Sequence, residues 1–220
     1  MLITYHGHSC FKLKSKRGSV VTDPFDPYIG FSLPKLSAEL VTVSHNHKDH
    51  NAAQLVQSAN PDRDRPFIID SAGEYEVGGI SVFGERLYHD SHQGVERGES
   101  IAFTMLLDDL RVCHLGDLGH ELTEQDVEKI GLVDILLIPV GGTFTINPEQ
   151  ALQTIREIEP SIVIPMHFKT EQHNAELFGE LKTLADFTKE YGAEPPAVAK
   201  FSVEKETLPE ELTLVILSQT

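Results

Sequence analysis

The sequence predicts an α/β protein of four layers, with two β-sheets packed face to face and helices on the outside. Three observations lead there. Strand-rich stretches fill two successive segments of about 100 residues, and both end in polar loops with helical patterns behind them. In the second half, helical stretches join apolar strands, the long connection that parallel neighbours require. No short tandem repeat or low-complexity linker divides the 220 residues, and a 40% apolar content suits one domain over residues 1–220.

Residues 2–5, 10–15 and 19–22 read as strands, the last two joined by the turn Lys16-Arg17-Gly18. A Pro-containing loop follows Asp23-Pro24 to about residue 37. Residues 40–43 form a buried strand, and 50–59 have helical character closed by Asn60-Pro61. Phe67-Ile68-Ile69 is a further strand. Residues 74–77 and 80–87 alternate about Gly78-Gly79, and 101–107 and 110–115 flank Asp108-Asp109, which gives two hairpins. Thr123 with Asp126 makes a capping box for a helix to about residue 130. A strand over 134–140 precedes Asn147-Pro148-Glu149-Gln150, which supplies an N-cap, Pro at N1 and Gln at N3 for the next helix. The strand 162–166 ends at His167, and a longer helix is expected over about 174–190. Residues 198–203 and 212–217 read as terminal strands joined by an acidic, Pro-containing turn.

Composition narrows the function. Eighteen Lys+Arg against 34 Asp+Glu give a net charge of −16, the wrong sign for gripping long nucleic acids. A small phosphorylated substrate stays open, because bound metal ions would reverse the local field. Cys10 and Cys113 lie in strand-like contexts and read as buried small hydrophobes, with no disulfide framework. No apolar run approaches the roughly 20 residues of a membrane span. The N-terminus opens on the strand pattern Leu2-Ile3-Thr4-Tyr5 rather than on a signal peptide. A cytoplasmic protein with a small-molecule substrate and no nucleic-acid or membrane partner is expected. Homo-oligomerisation is left open.

The densest chemistry is Ser44-His45-Asn46-His47-Lys48-Asp49-His50, the pattern H-x-H-x-D-H directly after a buried strand. Neutral imidazole and carboxylate are metal ligands. His89, Asp117 and His167 each follow an apolar strand as well. If the strand ends gather at one rim, these ligands converge on rigid supports. Six or seven N/O ligands exceed the four of tetrahedral zinc and suit two metal ions.

These residues resemble the metallo-β-lactamase superfamily. H-x-H-x-D-H, an isolated His89, Gly116-Asp117 and a final His167 after a strand follow that superfamily's order. Gly7-His8-Ser9, Gly116-Asp117 with Gly119, Val140 to Thr145 and Ile164-Pro165-Met166-His167 are similar to its ascorbate-6-phosphate lactonase-like group of small metal-dependent hydrolases. The resemblance implies one ion on His45, His47 and His89, a second on Asp49, His50 and His167, and Asp117 as bridge. It implies two divalent ions, zinc first, with manganese, iron or nickel also compatible with such ligands. A metal pair can hold a hydroxide at neutral pH for attack on an ester, lactone or phosphoester, and Asp49 can orient it and take a proton.

His89 ends its strand directly and is preferred to His92 as the third ligand. His120, three residues after Asp117, is a candidate proton donor to a leaving group. His8 is expected to line the site, and His114 to be a packed residue or a support for a ligand. Asp23 is a candidate support for the ligand loops. Arg97, in a Gly-flanked loop, is a candidate anchor for a carboxylate or phosphate, with Thr143 and Lys169 as weaker ones. His6 and His173 read as structural or exposed. The competing functions are a phosphodiesterase or nuclease of the same superfamily, a non-hydrolytic di-iron protein, and a metal-binding module. Charge and the lack of a visible RNA-gripping insertion disfavour the nuclease, and the missing flavin domain disfavours the di-iron oxidase.

Overall fold

The computed structural model describes residues 1–220. In chain order the elements are β1 (Leu2–Gly7), β2 (Cys10–Lys14), β3 (Ser19–Thr22), β4 (Leu36–Ala38), β5 (Leu40–Thr42), β6 (Val56–Ser58), β7 (Phe67–Ile69), β8 (Gly73–Val77), β9 (Ile80–Tyr88), β10 (Glu99–Leu107), β11 (Leu110–His114), α1 (Glu124–Ile130), β12 (Ile135–Pro139), α2 (Pro148–Ile158), β13 (Ile162–Met166), α3 (Ala175–Phe178), α4 (Leu184–Tyr191), β14 (Phe201–Ser202) and β15 (Thr213–Leu214). One sheet has the order β14-β1-β2-β3-β5-β7 and the other β15-β13-β12-β11-β10-β9-β8.

The two-residue period of a strand explains the layering. Phe11, Val20 and Leu40 point between the sheets, where they join Phe103, Met105, Val112 and Ile135 in the main core. Their neighbours Cys10, Val21 and Val41 point outward, into a smaller core with Phe25, Ile29, Leu36, Val56 and Phe178. The four-layer expectation therefore holds. α2 and α4 cover the second sheet through Ala151, Ile155 and Phe187. The outer face of the first sheet is closed by the 25–38 loop, the parallel pair β4–β6 and α3. β12 and β13 are buried on both faces, as parallel strands under helices are.

Local signals act where they were read. Gly78 and Gly79, and Asp108 and Asp109, all take positive φ, the geometry of a tight hairpin turn. Thr123 and Asp126 complete a capping box, as do Asn147 and Gln150.

Three expectations need correction. The helix over 50–59 is absent: a turn at 47–51 leads to a 3-10 turn at Ala53–Leu55 and then to β6. The reason is tertiary. The Ala52 N–H donates to the Pro24 carbonyl at 2.7 Å, and Val56–Ser58 find a ladder in Leu36–Ala38. A ten-residue helix has too little intrinsic stability to resist such partners.

The helix over 174–190 is broken into α3 and α4. Between them Lys182 donates to the Gly141 carbonyl at 2.7 Å and accepts from Lys169 at 2.8 Å, while Thr183 and Asp186 cap a fresh start. The terminal strands are shorter than expected and serve different sheets, β14 beside β1 and β15 beside β13.

Candidate metal centre

The ends of β1, β3, β5, β9, β11 and β13 meet at one rim. β5 delivers His45, His47, Asp49 and His50 in one turn. β9, β11 and β13 deliver His89, Asp117 and His167 one at a time. The donor atoms of His45, His47 and His89 lie within 4.8 Å of one another, and so do those of Asp49, His50, His167 and His8.

Asp117 stands between the two groups. Its Oδ2 is 3.9 Å from Nε2 of His45 and 3.4 Å from that of His89 on one side. On the other it is 3.3 Å from His50 and 3.2 Å from His167. Buried Nε2 atoms of His45, His50 and His167 and the buried Oδ1 of Asp117 have no hydrogen-bond partner. Unpaired buried polar atoms are costly unless something fills the space between them. Imidazole and carboxylate donors converging in two sets around a shared carboxylate fit two divalent ions.

The supports are specific. Asp23 accepts from the Ser44 N–H at 2.8 Å, from the Ser44 hydroxyl and from His50 Nδ1 at 2.8 Å. Anchoring Nδ1 aims Nε2 of His50 into the centre. Ser44 Oγ also contacts Nδ1 of His45 at 2.9 Å. His8, Asp23 and His167 take φ of 54°, 38° and 53°, so three residues of the centre hold left-handed backbone that side chains rarely adopt. The strain is held by hydrogen bonds such as His167 N–H to the His8 carbonyl, 2.8 Å.

Glycines permit the close approach of the loops. A Cβ on Gly119 would lie 2.3 Å from the carbonyl carbon of His89, and one on Gly141 2.0 Å from the His167 oxygen. Only a residue without a side chain lets these strand ends meet.

The charges are coupled. Burial alone would raise Asp117, but His167 and His50 outweigh it and hold the carboxyl far below its usual range. Asp49 is likewise lowered, because His50 and His8 overcome burial. Burial opposes the charged form of His50, yet Asp117 and Asp49 raise its pKa well above that of free imidazole. Burial first, and then His167, lowers His8 to about 3, so it is a neutral ring. Its Nε2–H donates to Asp49 at 3.2 Å. The backbone N–H of Thr170 donates to His173 Nδ1 at 3.1 Å, which leaves His173 Nε2–H to donate to His8 Nδ1 at 3.4 Å. A main-chain donor thus sets the tautomers of two rings that end on Asp49.

The remaining candidates divide. Arg97 lines a cavity of about 350 Å3 over the centre, with Tyr28, Lys48, Phe144, Leu177 and Phe178. His92 is exposed and pairs with Glu96 at 3.0 Å, away from the ligand groups. His114 is fully buried; Nδ1 accepts from Gly116 N–H and Nε2 donates to the Ser9 carbonyl, which braces the turn before Asp117. His120 does not line the cavity. Its Nδ1 contacts the Glu121 carbonyl at 2.9 Å, and its ring faces Tyr88. Thr143 turns its hydroxyl to the Glu180 carbonyl, and Lys169 gives its ammonium to Gly179, so neither reaches the cavity. In each of the three a main-chain carbonyl holds one donor, while Nε2 of His120 is buried without a partner. His173 is 7% exposed and belongs to the support of His8.

Tyr28 is the residue that sequence reasoning missed. It sits in a 3-10 turn that Asp26 caps, and its hydroxyl donates to Asp49 Oδ1 at 3.0 Å. Nothing in Asp26-Pro27-Tyr28 signals a partner 21 residues away.

Comparison with known proteins agrees with this geometry. The family model of the beta-lactamase superfamily domain matches residues 2–167. A UPF0173 metal-dependent hydrolase of Methanoculleus marisnigri is 32% identical over 187 residues, 77% of this chain and 82% of that one. Another from Thermoplasma acidophilum is 30% identical over 191 residues, covering 76% and 83%. A solved structure from Thermotoga maritima, assigned to the Zn-dependent hydrolases of the metallo-beta-lactamase superfamily, is 35% identical with a TM-score of 0.79, over 98% of this chain and 97% of that one. No helix here is long and apolar enough to cross a membrane.

Proposed function

The chain belongs to the beta-lactamase superfamily, and from that premise we propose that it is a dinuclear metal-dependent hydrolase of a small ester, lactone or phosphoester. One observation carries the reading: the Asp117 carboxylate lies within 3.2–3.9 Å of four imidazole nitrogens drawn from two separate donor groups. His45, His47 and His89 would hold one ion; Asp49, His50 and His167 would hold the other; Asp117 would touch both. The chemistry such a pair of divalent ions, zinc first, would supply there is a hydroxide nucleophile at neutral pH and polarisation of the oxygen under attack.

The chain's own groups do the rest. Asp49 is kept ionised and is positioned on both oxygens, by Tyr28 at 3.0 Å and His8 at 3.2 Å. It is the group placed to take a proton during turnover and to pass it on. Tyr28 lines the cavity, and its hydroxyl bond helps set the direction of the Asp49 carboxylate. Phe144 and Phe178 make one wall of the cavity apolar. The net charge of −16 and the cavity's size favour a small molecule over nucleic acid, in keeping with a cytoplasmic metabolic enzyme.

The test joins metal analysis to a hydrolase screen. Protein isolated without added metal should carry about two ions per chain, and the loaded protein should cleave at least one small ester, lactone or phosphoester. A doubly loaded protein inert across those classes would overturn the reading.

A further inference from the structure

The cavity over the centre has two unlike parts. One is an unbroken aromatic wall. Tyr28 lies 6.2 Å from Phe178, and Phe178 lies 6.2 Å from Phe144, centroid to centroid. The wall is rooted, because Phe178 is 4% exposed and packs in the smaller core. Leu177 extends it and is 45% exposed. The other part is a cation. The Arg97 guanidinium carbon stands 5.9 Å over the Phe144 ring.

Arg97 is built into this position. Its backbone N–H donates to Asp90 Oδ2 at 2.7 Å, and the N–H groups of His92, Gly94 and Glu96 bind the same carboxylate. The guanidinium itself has one acidic neighbour, Glu96, at 3.5 Å, and Glu96 is shared with His92. Most of its five N–H donors are therefore free to bind a ligand. Lys48 lines the same cavity and makes no ion pair. In a chain of net charge −16 these two cations stand in a cavity that the Asp49 and Asp117 carboxylates also line.

We propose that this cavity selects an amphipathic carboxylate: a substrate with an aryl or short alkyl body on the Tyr28–Phe178–Phe144 wall and a carboxylate on Arg97. The proposal rests on the hydrolase reading for the bond that is cut, and on the cavity alone for what binds. A planar carboxylate matches one guanidinium fork with two parallel hydrogen bonds. The volume of about 350 Å3 suits a body of one ring or a few methylenes.

Calorimetric binding to the Zn2+-loaded protein tests this with three probes: 4-phenylbutyrate, its neutral amide, and butyrate. The first should bind at least about tenfold more tightly than either of the others, the scale of one charge-assisted hydrogen bond. Arg97→Ala should abolish the preference for carboxylate over amide, and Arg97→Lys should restore only part of it, since lysine keeps the charge and loses the fork. Phe144→Ala should abolish the preference for phenylbutyrate over butyrate. Phe144→Leu, apolar but without a ring, replaces it if the alanine variant fails to fold. An Arg97→Ala protein that still prefers the carboxylate would overturn the proposal, because the anion would then sit on the metal ions. Arg97-dependent binding in a protein that cleaves no ester, lactone or phosphoester would sink the hydrolase reading and leave this one standing. Cleavage of neutral esters with no Arg97-dependent preference would do the reverse.

Discussion

The two halves of the centre share one six-residue motif, yet they are built unequally. His50 and His167 are fully buried, and Asp49 is 9% exposed. His50 is anchored on Asp23 at 2.8 Å, and Asp49 is gripped on both oxygens. The other half is looser. His47 is exposed, whereas a buried Nδ1 without a partner occurs in both halves, on His89 and on His167. Only Ser44 supports it, through His45. The Asp49 half also carries a negative charge of its own. Ligands that are prealigned and charged cost less to order around a cation. The lesson is that a ligand motif fixes which atoms are available, while the surrounding shell fixes how strongly each half binds.

The largest effect should come from the residue the halves share. Asp117→Ala is expected to lose both ions and to cut activity by more than the roughly 10- to 100-fold typical of a lost outer partner. Metal analysis that still found one tight ion would show that the halves are independent. Next, Asp23→Asn should weaken the Asp49 half by about 10- to 100-fold. In a one-equivalent titration of the unaltered protein followed by imidazole NMR, His50 and His167 should shift before His47 and His89. The opposite order would break the comparison.

Gly119→Ala pushes on the looser half alone, through the backbone of His89. It should cost about 1–3 kcal/mol and weaken the ion on His45, His47 and His89 while sparing the other, read as two separated steps in the titration. The smallest effect belongs to Tyr28→Phe. Removing one hydrogen bond to Asp49 is worth about 1 kcal/mol, so kcat should fall by about fivefold with the metal content unchanged.

Proton release sharpens the same contrast. With its pKa raised by Asp117 and Asp49, His50 holds a proton in the metal-free protein at pH 7. Loading the Asp49 half should expel about one proton, measurable by calorimetry in buffers of different ionisation enthalpy. Affinity there should rise with pH across the neutral range. For the metal-free fold the sign is opposite. His50's stabilisation is complete below the free-imidazole pKa of about 6.5 and is lost as pH rises through the higher folded-state value. A melting temperature that climbed with pH above neutrality would contradict this.

Much of the architecture was legible locally. The hairpins at Gly78-Gly79 and Asp108-Asp109, the capping boxes at Thr123 and Asn147, and the apolar strands all follow from contacts within a few residues. Where the reading failed, distant main chain had intervened. Residues 50–59 lose their helix to Pro24 and β4, and the stretch after Phe178 is drawn straight by Gly141 and Lys169. What the sequence could not show for His120, Thr143 and Lys169 is the main-chain carbonyl that holds one donor of each.

By itself the sequence determined the candidate ligand atoms. His45, His47, Asp49 and His50 are fixed on one turn by their spacing, and His89, Asp117 and His167 each follow a strand whose apolar run ends there. Tertiary structure alone decided that Asp117 stands among four imidazoles, that Tyr28 and His8 hold Asp49 from either side, and that Arg97 hangs over Phe144. Spacing along a chain constrains residues a few positions apart. These other meetings span tens of residues, and they depend on the packing of two sheets and on glycines that let strand ends touch.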